Sequence, residues 1–337
     1  MTFSYHCEIR ELPLRDPFGI SRGTRRFVRN LFVRIGDGWG EGAPIYYKGQ
    51  TAEAMLQMAQ EWLAEKPDCQ RPIAEIVVDL LRRYPEQTAL AQAVDLALHD
   101  AWGKREGKPL YELWGWPWDN VPLSSFTIGM DELEIVMQKA ARADEYPILK
   151  IKAGGPRDME ILQAIHDRTA KPLLVDANEG WNAEQTLNYL PRLEKWGVLL
   201  LEQPLPSRDR EGYRRLREEN PTHIPIFIDE GAQGPEDVEA WAGLADGINI
   251  KLAKCGGLER GKTMAETAKR YGLKVMLGCM IESSLGISAA ANLAPLAVFA
   301  DLDGAALLSE DPFTGMKLDK GRLIMPSLPG IGAKERE

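Results

Sequence analysis

Cysteine is scarce in this chain, and it is never arranged to bridge or to bind metal. Cys7, Cys69, Cys255 and Cys279 are scattered through 337 residues, with no CxxC and no His nearby at ligand spacing. That excludes a Cys/His zinc centre and leaves free thiols in a reducing cytosol as the expectation. Long apolar runs are missing too, so no stretch approaches a membrane span. The opening MTFSYHCEIR lacks the apolar core of a signal peptide, and the expected compartment is the cytoplasm. Excess positive charge is absent as well: a net charge of -9 argues against nucleic acid or an anionic membrane as partner. What remains, 44% hydrophobic and 27% charged, is an ordinary globular composition, and the length suits one large barrel or two domains.

The first third reads as an α+β layer. Phe3, Tyr5, Cys7 and Ile9 alternate as in a strand with one buried face, and a second strand is expected at Leu31 to Ile35, closed by the turn Gly36-Asp37-Gly38. Thr51 is placed to cap a helix carrying Met55, Met58 and Trp62 at helical spacing. A further helix is expected from Leu90 to Arg105, with Val94, Leu98, Ala101 and Trp102 on one stripe. Between the two strands lies FGISRGTRRFVRN, with Arg22, Arg25, Arg26 and Arg29 crowded together. It is either a solvated basic edge strand or a glycine-flanked loop that carries a guanidinium fork to an anionic group. The tryptophan-rich turn LWGWPWDN marks the expected boundary.

From Leu123 a short apolar run followed by a helical stretch recurs: LSSFTI, PILKIK, PLLVDA, VLLLEQ, IPIFID, GINIKL, KVMLGC and VFADLD. Eight parallel strands with helical crossovers predict a (β/α)8-type barrel, with a doubly wound sheet as the alternative. The expected organisation is an N-terminal α+β capping domain over 1–115, the barrel over 116–320, and a tail over 321–337 returning to the cap.

Polar residues fall in phase with that repeat. Thr127, Lys150, Lys152, Asp176, Glu202, Asp229, Lys251, Glu282 and Asp301 each sit at or just past the end of a run. From Lys152 the intervals are 24 to Asp176, 26 to Glu202, 27 to Asp229 and 22 to Lys251. Each is about one strand-helix unit, so these side chains converge on the mouth of a barrel, where catalytic groups belong. Asp176, Glu202 and Asp229 would repel one another strongly unless they share a divalent cation. An all-oxygen set selects Mg²⁺ first and Mn²⁺ second. Lys152 and Lys251 lie on strands either side of this set. One lysine removing a proton from a carbon beside a carboxylate, and the other returning it from the far side, inverts a stereocentre. A metal on the carboxylate stabilises the enediolate between the two steps. Lys150, on the same strand face as Lys152, is expected to depress its neighbour's pKa and to support catalysis.

The motifs LKIKAG, VDANEGW, LEQPLP, IDE, NIKLAKCGGL and LGCMIES together resemble the enolase superfamily in its muconate-lactonising-like subgroup, whose Lys bases and Mg²⁺-stabilised intermediates are known. AVDLALHDAWGKREGKPL resembles that family's cap. Asp301-Leu302-Asp303 looks most like the dipeptide epimerases of the L-Ala-D/L-Glu type, where such a D-x-D binds the substrate's α-ammonium. The resemblance implies an isomerase acting on a dipeptide, with Lys152 and Lys251 catalytic. Asp301, Asp303, Arg22, Arg25, Thr127 and Glu282 would be its substrate contacts, the arginines meeting an acidic second residue. It leaves the oligomeric state open, a homo-oligomer included. Ala253 in KLAK departs from epimerases with Asp there, which puts the exact substrate in doubt. The same lysines and metal would also serve a muconate cycloisomerase, an o-succinylbenzoate synthase or an N-acylamino acid racemase. A catalytically silent binding protein is the reading from another class.

Overall fold

The computed structural model describes residues 4–20 and 23–337, so Phe3 and Arg22 lie outside the described residues. Tyr5–Ile20 (β1), Gly23–Ile35 (β2) and Gly38–Gly42 (β3) form an antiparallel sheet in that order. Of the two readings of the arginine-rich segment, the strand holds: it forms the far half of the β1–β2 hairpin, where Phe18 pairs with Arg25 and Gly19 with Thr24. Pairing satisfies the backbone groups of both strands, which outweighs the glycine and charge content that suggested an irregular link.

The GWGEG stretch is a strand for a steric reason. Gly38, Gly40 and Gly42 share one face, and a Cβ there would sit 2.0 Å from Ala97 O, 2.0 Å from Ala93 O and 2.1 Å from Ala89 O respectively. These alanines recur every four residues on Thr88–Glu106 (α3), so the strand's glycine face lies directly against the helix backbone. Two helices precede α3. Ala52–Ala64 (α1) is capped as expected, with Ala54 N donating to Thr51 Oγ1 at 3.2 Å. Ile73–Arg83 (α2) buries Ile76, Val77 and Leu80. The short Leu110–Leu113 (α4) follows.

The remaining sheet has eight parallel strands in chain order: Phe126–Ile128 (β4), Leu149–Lys152 (β5), Leu173–Asp176 (β6), Val198–Glu202 (β7), Ile226–Ile228 (β8), Gly247–Ile250 (β9), Lys274–Gly278 (β10) and Phe299–Asp301 (β11). A bridge between Ser124 and Ala300 brings the two ends together. Sequential order without reversal, plus this closure, rules out the doubly wound sheet. Leu174, Leu200, Phe227 and Met276 pack together as one buried cluster. The outer helices are Leu133–Arg142 (α5), Asp158–Thr169 (α6), Ala183–Lys195 (α7), Arg210–Glu219 (α8), Leu252–Cys255 (α9), Leu258–Arg270 (α10) and Ser284–Ala291 (α11). One expected crossover helix is missing: β8 and β9 are joined by two 3₁₀ turns, Pro235–Asp237 and Glu239–Trp241. Buried Trp241 packs there, its indole donating to Gly231 O at 2.7 Å.

Buried polar groups lock the two layers together. Asp95 of α3 caps α10, accepting from Leu258 N at 2.6 Å and Glu259 N at 3.3 Å. His99, one turn on, places Nδ1 3.3 Å from Asp95 Oδ1 and Nε2 3.6 Å from Glu259 Oε2. Glu41 of β3 accepts from Asn30, Ser283 and Gly286. The C-terminal segment returns to the cap through Gly330, paired with Lys108 and Leu110, and through the Arg10–Glu335 ion pair at 2.6 Å. The four cysteines are free. Among the described residues no helix is long and apolar enough to cross a membrane.

Candidate active site

The strand registers assemble the polar residues at one rim. Lys152 pairs with Asp176 across β5–β6, and Asp176 with Glu202 across β6–β7. Asp229 follows β8 and Lys251 follows β9 directly. The carboxylates of Asp176, Glu202 and Asp229 are buried and offer oxygens that all lie within 4.8 Å of one another. Three buried carboxylates this close fit a hard divalent cation, and no His or Cys joins the set.

Four ammonium groups hold this cluster. Lys150, fully buried, lies 2.8 Å from Glu202 Oε2, 2.8 Å from Asp301 Oδ2 and 3.3 Å from Asp176 Oδ2. Lys152 bonds Asp176 Oδ2 at 2.6 Å, and Lys251 bonds Asp229 Oδ2 at 2.7 Å. Lys254 reaches Asp229 Oδ1 at 2.5 Å. Burial pulls the Lys150 ammonium down, but Asp301, Glu202 and Asp176 outweigh it and hold its pKa well above the ordinary value. For Lys251, burial and Lys150 pull down, while Asp229 and Glu202 prevail and raise it. The carboxylates divide by neighbour. Burial opposes ionisation of Asp176, yet Lys152 and Lys150 bring it to about 2. Burial and then Asp176 push Glu202 up to about 7. Lys251 and Lys254 overcome burial to hold Asp229 well below the usual carboxylate range.

A cavity of about 500 Å³ opens above the cluster, lined by Lys152, Lys251, Asp229, Asp301 and Asp303 among others. Asp301 Oδ1 accepts from Ser125 Oγ at 2.8 Å and Thr127 Oγ1 at 3.0 Å. Asp303 Oδ2 accepts from Thr127 N at 2.6 Å, and burial followed by Asp301 pushes its pKa up to about 7. Two carboxylates facing a cavity suit a cationic group. The cap closes the cavity with the β1–β2 hairpin, where Arg25 lies 3.6 Å above the Tyr46 ring centroid.

Glu282, expected at the substrate, is not among the lining residues. It is 2% exposed and accepts from Gln92 Nε2 at 2.6 Å and Met280 N at 3.2 Å, while burial and Glu41 push it up to about 8. Met280 and Ile281 line the cavity instead. Two members of the cluster went unread in the sequence: Lys254, and Asn249, which donates to Glu202 Oε1 at 2.8 Å. Both lie in the motif NIKLAK, three and two residues from Lys251 respectively.

Residues 6–115 match the family described as mandelate racemase / muconate lactonizing enzyme, N-terminal domain, and residues 133–337 match the enolase C-terminal domain-like family. The chain is 36% identical to the L-Ala-D/L-Glu epimerase of Bacteroides thetaiotaomicron, over 96% of this chain and 85% of that protein. It is 37% identical to an L-Ala-D/L-amino acid epimerase of a Maribacter species, over 95% of this chain and 96% of that protein. The solved dipeptide epimerase of Enterococcus faecalis, complexed with Mg and L-Leu-L-Tyr, superposes with a TM-score of 0.90 at 29% identity, covering 99% of this chain and 100% of that one.

Proposed function

Because the chain belongs to the mandelate racemase / muconate lactonizing enzyme family of the enolase superfamily, we propose that it is a dipeptide epimerase. It inverts the α-carbon of a dipeptide's C-terminal residue by two-base 1,1-proton transfer. One observation carries this reading: Lys152 and Lys251 both reach the cavity, from the second and the sixth strand positions of an eight-strand ring. Positions four strands apart face each other across a barrel, so the two lysine side chains address opposite faces of a molecule bound between them. One lysine, as the neutral amine, takes the α-proton, and the other, as the ammonium, delivers a proton to the opposite face, leaving the product with the same atoms and inverted configuration.

Asp176, Glu202 and Asp229 would hold Mg²⁺. The chemistry a bound divalent cation supplies there is positive charge against the substrate carboxylate as the enediolate forms. Asp301 and Asp303 bind the α-ammonium of the dipeptide, which supports a dipeptide over amine-free substrates such as succinylbenzoate precursors. Thr127 lines the cavity and also fixes both aspartates, through its backbone N–H to Asp303 and its hydroxyl to Asp301. Arg25, stacked on Tyr46 at the cap side, supports an acidic or otherwise anionic second residue.

Proton NMR in D₂O of L-Ala-L-Glu and a dipeptide library, with protein and Mg²⁺, tests the proposal. The expected result is loss of the second residue's α-proton signal with growth of the epimer, both stopped by EDTA. Absence of exchange with every dipeptide refutes it and directs the search to N-acylamino acids.

A further inference from the structure

The four lysines of the cluster fall into two pairs. Lys152 and Lys251 line the cavity, whereas Lys150 and Lys254 lie behind its wall, 0% and 1% exposed. Each cavity lysine shares one carboxylate with one hidden lysine. Asp176 Oδ2 is 2.6 Å from Lys152 and 3.3 Å from Lys150. Asp229 meets Lys251 through Oδ2 at 2.7 Å and Lys254 through Oδ1 at 2.5 Å. The chain reaches the same pairing by two local geometries. In K-x-K on β5 the lysines share a strand face. In K-x-x-K, at the end of β9 and the first turn of α9, residues three apart lie on one helical side.

Lys254 is fully occupied. Its ammonium donates to Asp229 Oδ1, and to the carbonyl oxygens of Asp229, Ala232 and Asn249 at 2.5, 3.1 and 3.1 Å. An ammonium has three protons, so these acceptors leave it none for a substrate. Buried this deeply, it persists only as the partner of an ionised carboxylate, and Asp229 is that partner.

We infer that Lys254 is a positioning residue for Lys251. It holds Asp229 Oδ1 and carries part of that carboxylate's charge. Asp229 then grips Lys251 through Oδ2 alone, a single contact that Lys251 gives up when it turns to the substrate. The inference rests on the two-base reading of the proposed function.

Lys254→Met keeps the length of the side chain and removes its charge and donors. Each epimer of the dipeptide is incubated separately in D₂O with Mg²⁺ and protein, and α-proton exchange is followed by NMR. A wild-type protein that exchanges neither epimer refutes the proposed function, and this inference with it. With an active wild type, the variant is expected to lose about tenfold or more in exchange of the epimer that Lys251→Ala silences. It should stay within about threefold for the epimer that Lys152→Ala silences. Equal loss for both epimers, or loss for neither, overturns the inference, because a merely structural lysine would not distinguish two faces of one carbon. Calorimetric titration of the same variant with Mg²⁺ and no substrate is expected to give an affinity within about threefold of wild type. A tenfold or larger loss there would mean that Lys254 serves to build the metal site, and would also overturn the inference. Lys254→Gln, which keeps a donor and loses the charge, carries the same comparison if the Met variant does not fold.

Discussion

His99 makes the docking of cap on barrel sensitive to pH. Both of its ring nitrogens face acceptors: Asp95 at Nδ1 and Glu259 at Nε2, with Lys262 3.7 Å beyond Glu259. Burial pulls the imidazolium down, but Asp95 and Glu259 outweigh it and carry the pKa from 6.5 to about 9. The folded state therefore holds this proton more tightly than the unfolded chain does. Its contribution to stability is complete below pH 6.5, falls as pH rises, and is gone above about 9, with a full amplitude of about 3 kcal/mol. No allowance for solvent screening applies, since the side chain is 2% exposed. The perturbation is His99→Gln, compared with wild type by urea unfolding across this range. Glu282, pushed up to about 8, titrates in the same window, but it does so in both proteins and cancels in the difference. The wild-type advantage over the variant should shrink by about 3 kcal/mol between pH 6 and pH 9.5. Two stability curves running parallel over that range would falsify the charged-imidazole reading.

Substituting either cavity lysine with alanine, Lys152→Ala or Lys251→Ala, is expected to abolish epimerisation. Each should leave at most α-proton exchange of the one epimer facing the surviving base, and near-wild-type turnover by either variant would refute the two-base assignment. Asp176→Asn and Glu202→Gln should each weaken Mg²⁺ binding by about 100-fold or more in calorimetry, and unchanged affinity would remove that residue from the ligand set. Gly40→Ala drives a Cβ to 2.0 Å from Ala93 O, a contact with helix backbone that cannot give way as a side chain would. A loss of about 3 kcal/mol is expected from thermal unfolding, and a neutral result would show that β3 can retreat from α3.

The barrel was legible because its signal is repetitive. Each of the eight apolar runs carries its own strand, and the polar residues at their ends meet at one rim, since strand C-termini in a barrel share a face. What stayed hidden was set by contacts distant in sequence. The segment FGISRGTRRFVRN, with turn-like glycines and solvated-looking arginines, left an edge strand and a loop both open, and only the pairing of Phe18 with Arg25 and its neighbours decides for the strand. The GWGEG strand was invisible for a related cause: its glycines have no strand propensity, and they become strand residues only against the alanine face of α3. Glu282 shared the phase of the other strand-end residues, but phase along the chain does not say which way a loop carboxylate turns. Gln92 of α3 draws it away from the cavity.

Lys254 was overlooked for another reason, which bears on how the cluster persists. Asp176, Glu202, Asp229 and Asp301 are matched by Lys150, Lys152, Lys251 and Lys254, all of them in direct contact. Removing Asp229 strands the buried Lys254 ammonium, whose one carboxylate partner it is, at a cost of several kcal/mol. The set is therefore interdependent, and a lysine chosen for balance looks in sequence like any other lysine. Yet balance alone does not require two lysines per carboxylate. Asp176 and Asp229 are each doubly served, once from behind and once from the cavity. On the inference drawn above, motion in this cluster falls to Lys152 and Lys251, the two lysines that line the cavity. The hidden pair makes that motion affordable, because neither carboxylate is left unpaired while its cavity lysine is elsewhere.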